Sequence, residues 1–487
     1  MRLLLFLFTC LLLTHAVSAQ KRFTAQQLQA DFAVLQKAYK TLHPGLYKYA
    51  DPATIDRYFT ECQASLSHDQ TLPEAYLAIM KLTAQFKCGH SYPNFFNQPD
   101  EVKTMFEQKT SLPFWFRLID NRMLVTNSAV ATMSTNTEVL SINGISVAKI
   151  IDTMLPLVRA DGSNNGKRLN LLQVDGQQYF EYFDVLLPLV FPTSKPTFIL
   201  QTKNLTTNKT ATVVVDAQVH STRDKQIREQ YRVKKDTTAT FGWLNANTAI
   251  MQINSLASWD NSFRFGKFYE AAVTEYNQKK GQNLIIDIRN CEGGDLWNAK
   301  QLIRHLIMKP IVINEQQDCW AYISMDSTLN QYIDNQWAYQ WRYRNDNDFV
   351  RLPSGQYRSK KDGKGQRLDP SDLHLTGRVF LLTSATNSSA AWQFASVMRE
   401  HSLATLVGQE TGGNRKGITA GSLFFMVLPN TKIEVDVPLI GMDYTEAAKR
   451  VDMGIKPDVY VKPTMKAIVA SIDQELAAVK NLLTKHK

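Results

Sequence analysis

The rhythm of apolar and polar positions changes three times along this 487-residue chain. In FTAQQLQADFAVLQKAYKTL, apolar residues recur every three or four positions from Phe23 to Leu42, the period of an amphipathic helix. TLPEAYLAIMKLTAQFKCGH predicts a second helix, with Thr71 at its N-cap, Pro73 and Glu74 in its first turn and a stop at Gly89. His90 then falls just beyond a helix C-terminus. From about residue 110 the pattern alternates instead. LPFWFRLIDNRMLVTNSA predicts two strands turning at Asp120-Asn121, and TEVLSINGISVAKIIDTML a strand, an Asn143-Gly144 turn, a strand and a helix. Residues 195–217 predict a further hairpin. From about residue 240, strand and helix patterns alternate: TAIMQINSL, FGKFYEAAVTEYNQK, NLIIDI, DLWNAKQLIRHLIM opened by Asp295, RVFLLT, SAAWQFASVMREH and ATLVGQ. Such alternation predicts a parallel sheet with helices packed on it. A Trp-, Tyr-, Asp- and Asn-rich insertion, residues 311–376, interrupts it and either covers a site or decorates the surface.

The first stretch, MRLLLFLFTCLLLTHAVSAQ, has Arg2, a short apolar run and the small residues Ser18 and Ala19. This predicts a signal peptide cleaved after Ala19, and export to the periplasm or the medium. The run is too short to favour a membrane span, and Phe8 and Thr9 are bulkier than a lipid-attachment site at Cys10 would take. The net charge of +10 is scattered, with clusters only in VKKD and SKKDGKGQR. These read as solvated loops, so nucleic-acid binding is not expected. Beyond the leader stand Cys62, Cys88, Cys291 and Cys319. Their spacing is not that of a zinc site, and disulfides and free thiols both stay open.

In an open α/β sheet, ligands bind beyond the carboxyl ends of the strands. Two loops fall there. RNCEGGD, residues 289–295, offers two glycines ahead of a helix, so its N–H groups can face a ligand. SATNSS, residues 384–389, puts hydroxyls at the start of another helix, where Ser is either a cap or a nucleophile. A Ser nucleophile beside a loop of N–H donors is what acyl transfer requires.

NLIIDIRNCEGGD, VFLLTSATNSSAAWQFASVMREHSLATLVGQETGG and RVDMGIKPDVYV, in that order, resemble three motifs of the tail-specific, or C-terminal-processing, serine peptidases. The match spans roughly residues 110–462. It includes TEVLSINGIS, which resembles the end of a PDZ-like module with Thr137 in place of a Gly. The resemblance lies nearer the tricorn-core and retinoid-binding-protein branch. It implies an α/β fold: a crotonase/ClpP-like parallel-sheet catalytic core with an N-terminal helical region and a PDZ-like β module. The implied layout is a leader at 1–19, the helical region at 20–107 and the PDZ-like and hairpin region at 108–235. The catalytic core then runs over 236–465, with its insertion, and a C-terminal helix over 466–487.

The resemblance also implies the site. The nucleophile maps onto Ser389 of SAAW, with Ser388 as runner-up. Trp392 stands where the family usually has Glu. The implied oxyanion donors are the N–H groups of Ala390 and of Gly293 or Gly294. The processing branch takes its base from a Lys whose position falls on Asn414 here, with Lys416 two residues on. The tricorn-like branch takes a His, which maps onto His90 of KCGHSYPNF, with Cys88 at a usual Asp position. His90 is the better base, since its ordinary pKa lies near working pH. The orienting acid is expected at Asp452, and Cys291 is a minor rival nucleophile. The implied activity is endopeptidase cleavage of peptide or protein substrates, without cofactor or metal and without stable membrane insertion. The alternatives are a Ser389–Lys416 dyad and an inactive carrier of apolar ligands.

Overall fold

The computed structural model describes residues 21–484 apart from 235, 258–261, 314–315, 361–364 and 445–449; the expected leader lies outside the described residues. The N-terminal region is helical, with helices Ala25–Leu42, Pro52–Ser65 and Leu72–Gln85. Glu74 reaches back to accept the Thr71 N–H at 2.7 Å, one half of a capping box. The third helix ends earlier than Gly89 suggests. Lys87 makes the reversal, at φ 53°. Gly89 serves another purpose: a Cβ there would stand 2.9 Å from the Asp161 carboxylate.

Five antiparallel strands follow, in the order Phe114–Ile119, Arg122–Ser128, Thr137–Ile142, Thr197–Asn204 and Thr210–Asp216. Both predicted turns have positive φ at both central residues, Asp120 and Asn121 in one, Asn143 and Gly144 in the other. That geometry matches the twist of a hairpin and suits Asn, Asp and Gly. Residues 108–235 carry more helix than the alternation suggested: Val147–Met154, Asn165–Leu171, Tyr182–Val190 and His220–Tyr231.

The strand–helix alternation after residue 240 forms a second sheet. Its order is Val459–Tyr460, Thr405–Gly408, Arg378–Thr383, Asn283–Asp287, Thr248–Ile253, Ala239–Asn245. All neighbours are parallel except the last pair. Alternation along each strand sorts the side chains between faces. Leu284, Ile286, Leu381 and Leu406 pack with helices Phe265–Gln278, Leu296–Leu306 and Ser389–Glu400. Ile285, Phe380, Leu382 and Val407 face the other way, onto helix Gln474–Thr484 through Val479. Burying each such side chain contributes about 1.5–3 kcal/mol, which is why Leu284, Ile285 and Ile286 run apolar on both faces. The C-terminal helix is two pieces, Met465–Val469 and Gln474–Thr484, parted near Ser471, whose φ is 54°.

The insertion is neither a free hairpin nor a simple surface decoration. Its strands Gln316–Trp320, Phe349–Arg351 and Tyr357–Ser359 extend the ribbon Ile418–Val427 and Glu434–Tyr444 into a five-stranded sheet. Trp320, Tyr322, Leu329 and Ile333 lie buried in one core with the N-terminal helices and the first sheet.

Candidate active site

The strand Arg378–Thr383 passes through a five-residue loop into helix Ser389–Glu400. Asn387 fastens the loop. Its Oδ1 accepts the Ser384 N–H at 2.8 Å, and its Nδ2 donates to the Cys291 carbonyl at 3.0 Å. The hydroxyls of the tract then separate by role. Ser388 is buried; its Oγ donates to the Glu292 carbonyl at 3.1 Å and lies 3.2 Å from Lys167 Nζ. Ser389 is half-buried and adopts φ 49°, a left-handed conformation that is uncommon for any residue but Gly. Backbone strain of this kind costs about 1–3 kcal/mol and concentrates at functional sites.

Gly293 and Gly294 face this elbow with φ of 151° and 140°. A Cβ on Gly293 would stand 2.9 Å from Ser389 Cβ, 3.1 Å from the Ser388 carbonyl and 3.3 Å from the Ala390 nitrogen. The glycine turn is held by Leu256, whose N–H donates to Gly293 O at 2.9 Å and whose carbonyl accepts the Asp295 N–H at 3.1 Å. Among the described residues no hydrogen bond takes up the N–H of Gly293, Gly294 or Ala390. Ser389 is thus surrounded by uncommitted donors, the arrangement an oxyanion requires.

Glu292, next to Gly293, accepts from Arg159 Nη2 and from Lys167 Nζ, each at 2.7 Å. Burial alone would raise the Glu292 carboxyl, but the two cations override it and hold it below the usual carboxylate range. Burial pushes the Lys167 amine down, and Glu292 offsets part of that effect. Lys167 Nζ also donates to the Thr386 carbonyl at 2.9 Å.

His90 belongs to the same cluster. Arg159 Nη1 donates to the Gly89 carbonyl at 2.7 Å, and the Gly89 N–H donates to Asp161 Oδ1 at 2.8 Å. The Gly162 N–H donates to Lys87 O at 2.8 Å. On the other flank, His43 Nε2 and Ser91 Oγ are 2.9 Å apart. The His90 ring is half-buried, and its Nδ1 is enclosed with no partner. Burial lowers its pKa, with Asp161 the largest opposing charge, followed in the balance by Arg159, Glu292 and Lys167.

Other expectations are placed differently. Asp452 is exposed, and its oxygens are occupied by the Ser163 N–H at 3.0 Å, the Ser163 hydroxyl at 2.9 Å and Asn414 Nδ2 at 2.7 Å. It therefore anchors the loop at Gly162–Ser163 instead of touching His90; the buried carboxylate against the His90 loop is Asp161. Lys416 stands over the Tyr49 ring, 5.2 Å from its centre. Trp392 is fully buried and packs under Gly413, filling the family's Glu position with core. All four described cysteines are free and buried, and burial pushes the Cys291 thiol up to about 12, which removes its thiolate at neutral pH.

The residues that sequence reasoning missed are Arg159, Asp161, Lys167 and Glu292. Glu292 was visible inside RNCEGGD. Arg159 and Lys167 meet it across more than a hundred residues of chain, Asp161 meets the loop before His90 across 72, and no local pattern marks them. Beyond the carboxyl ends of the parallel strands lies a cavity of about 690 Å³, bounded by Asp287, Ser384 and Gln409 on the sheet side and by Tyr92, Phe95 and Tyr182 opposite. Arg159 and Glu292 also line it.

Residues 247–461 match the model of peptidase family S41. No curated protein matches the chain by sequence. Among solved structures, mature CPAF complexed with lactacystin has a TM-score of 0.67 at 12% identity, over 95% of this chain and 98% of that one. Mature CPAF on its own has a TM-score of 0.61 at 11% identity, over 91% and 94%. At such identities the likeness establishes a shared fold across nearly the full length. The family match covers both the Gly293–Gly294 turn and the Ser389 elbow, and by it residues 247–461 form a serine-type peptidase domain similar to those of the tail-specific family S41.

Proposed function

We propose that the chain is an exported endopeptidase in which Ser389 is the nucleophile and His90 the base. His90 takes the Ser389 proton as Oγ attacks the peptide carbonyl. The N–H groups of Ala390 and of Gly293 or Gly294 receive the oxyanion. The imidazolium then gives its proton to the leaving amine. Water, activated by the neutral His90, releases the acyl group and restores Ser389. The observation that carries this reading is Ser389 itself, held at φ 49° beside Gly293, while Ser388 is committed to Glu292 and Lys167. Asp452 enters as an anchor of the Gly162–Ser163 loop. The sheet at 114–216, with helix Val147–Met154 against it, is read as the PDZ-like module, and the parallel sheet as a crotonase/ClpP-like core. The predicted leader motivates export, and the exported protein should begin at or near Gln20.

The test is incubation with unstructured casein and a serine-reactive fluorophosphonate. Cleavage and labelling are expected, and both should vanish in Ser389→Ala. Persistence of both in that variant would remove Ser389 from the mechanism.

One observation favours a second base. Lys167 Nζ, an amine whose burial favours its neutral form, stands 3.2 Å from the hydroxyl next to Ser389. Its 2.7 Å contact with Glu292 opposes proton loss and makes it the weaker candidate. Activity that survives His90→Ala and disappears in Lys167→Met would select the lysine.

A further inference from the structure

We propose that Asp161 is the positioning residue of His90: its carboxylate orients the ring and balances the imidazolium formed when Ser389 loses its proton. The inference rests on the Ser389–His90 reading and adds the acid that the reading lacks. Asp161 is buried, at 2% exposure, and Oδ1 accepts the N–H of Gly89, the residue before His90, at 2.8 Å. The absence of a side chain at Gly89 allows this approach, since a Cβ there would stand 2.9 Å from Asp161 Oδ2 and 3.2 Å from Cγ. Two buried polar atoms at this junction have no partner, Asp161 Oδ2 and His90 Nδ1. One is an acceptor and the other can donate. Buried polar atoms left unpaired in a native fold call for an explanation. Pairing the two would satisfy both, and hydrogen bonds of this kind often tighten only once substrate is bound.

The charges around His90 support the same assignment. Arg159 and Lys167 face it with two positive charges, Glu292 and Asp161 with two negative ones, and His43 lies beyond Ser91. Arg168 lies behind Asp161, bonded to the Gly162 and Val158 carbonyls. Glu292 is shared between Arg159 and Lys167 and leaves one positive charge uncompensated. Asp161 supplies that compensation. Without it, an imidazolium would form beside a net positive cluster.

The experiment is a histidine-selective NMR titration of the full chain, with the His90 resonance identified by its loss in His90→Gln. Asp161→Asn should lower the His90 midpoint by about one pH unit or more, the scale of a lost opposite charge. The acid limb of kcat/KM should move with it. Asp161→Glu should restore most of the shift, and Asp452→Asn should leave the midpoint in place. An unchanged midpoint in Asp161→Asn, or an equal shift in Asp452→Asn, overturns the proposal. If Asp161→Asn fails to fold, Asp161→Ser, which also removes the charge, takes its place in the titration: a midpoint lowered there and kept near wild type in Asp161→Glu upholds the proposal, and a midpoint unchanged there overturns it. Failure of the underlying reading shows separately, as activity retained in Ser389→Ala, because the titration needs no catalysis.

Discussion

A methyl group on Gly293 should disable the enzyme while leaving it folded. The Cβ of Gly293→Ala would meet Ser389 Cβ at 2.9 Å, the Ser388 carbonyl at 3.1 Å and the Ala390 nitrogen at 3.3 Å. Carbon atoms prefer separations of about 3.5–4.0 Å, so the first contact alone demands a shift on the order of half an ångström. Two of the three neighbours are backbone atoms and cannot swing aside. Catalytic geometry tolerates displacement of about 0.5 Å, so relief of the clash misplaces the donors relative to Oγ. A φ of 151° adds backbone strain of about 1–3 kcal/mol for any residue with a side chain. Loss of one oxyanion donor costs about 10²–10³ in kcat, and that is the expected fall. KM should change little, since the donors act mainly in the transition state. The assay is steady-state peptide hydrolysis beside a thermal melt. The control is Gly355→Ala, which carries similar strain, at φ 86°, but has open space around its Cβ. It should lose stability and keep kcat. A folded Gly293→Ala enzyme with kcat within about threefold of wild type would refute the oxyanion assignment, given a donor's worth. So would an equal loss in the control.

Ser388→Ala should retain activity within about tenfold and cost about 1–2 kcal/mol of stability, because its hydroxyl holds only Glu292 O and Lys167; denaturant unfolding with a parallel rate assay checks this. The log of kcat/KM should rise with pH and level, because neutral imidazole is the active base. Burial lowers the His90 pKa, so the midpoint should lie below the ordinary 6.5 or so; a midpoint above 7 contradicts this. His43 is buried and held at about 3, mainly by burial, with Nδ1 accepting the Gly45 N–H at 3.1 Å. A His whose folded pKa is depressed contributes stability above its unfolded pKa and loses it as pH falls from about 6.5 towards 3. Between pH 7 and pH 5 wild type should therefore lose roughly 2 kcal/mol more than His43→Gln, from about 1.4 kcal/mol per unit; equal losses in denaturant titrations would contradict it. Cys62, Cys88, Cys291 and Cys319 should resist iodoacetamide in the native protein and all react after unfolding, since each is buried and pushed up to about 12; native labelling read by mass spectrometry tests this.

What the sequence disclosed follows from the range of the forces involved. The parallel sheet was legible because strands such as NLIID must be apolar on both faces, and because its helices carry their own period. The hairpin turns were legible because positive φ at both central positions selects Asn, Asp and Gly. Ser389 is singled out only by resemblance, since the composition of SATNSS equally suits a cap. Ser384, Ser388 and Asn387 do tie loops together in the structure. The Gly89 stop was misread because two different constraints, a left-handed reversal and a close approach, both select Gly. Lys87 took the first and Gly89 the second. Asp452, the expected acid, has its oxygens bound to Ser163 and Asn414 in the structure. Motif position located the right neighbourhood, but the choice between two acids hangs on which is buried and what has already claimed their oxygens. Neither property is encoded near either residue.

The placement of these groups bears on how the machinery is assembled. The S41 segment, residues 247–461, contributes Ser389, Ala390 and the glycine turn, yet His90 lies outside it, at the end of the N-terminal helical region. The link between them is the segment from Arg159 to Lys167, which belongs to neither. Arg159 spans the gap, with one nitrogen on the carbonyl before His90 and another on the carboxylate before Gly293. A rigid guanidinium fork suits this task because both of its contacts are fixed in one plane. On the proposed reading, the distance between His90 and the glycine turn is thus set by a residue that need not touch substrate at all. Lysine at 159 would keep the charge and lose the fork. A change at that position should therefore act on kcat through misalignment, and the apolar core of the S41 segment should remain intact because Arg159 is not part of it.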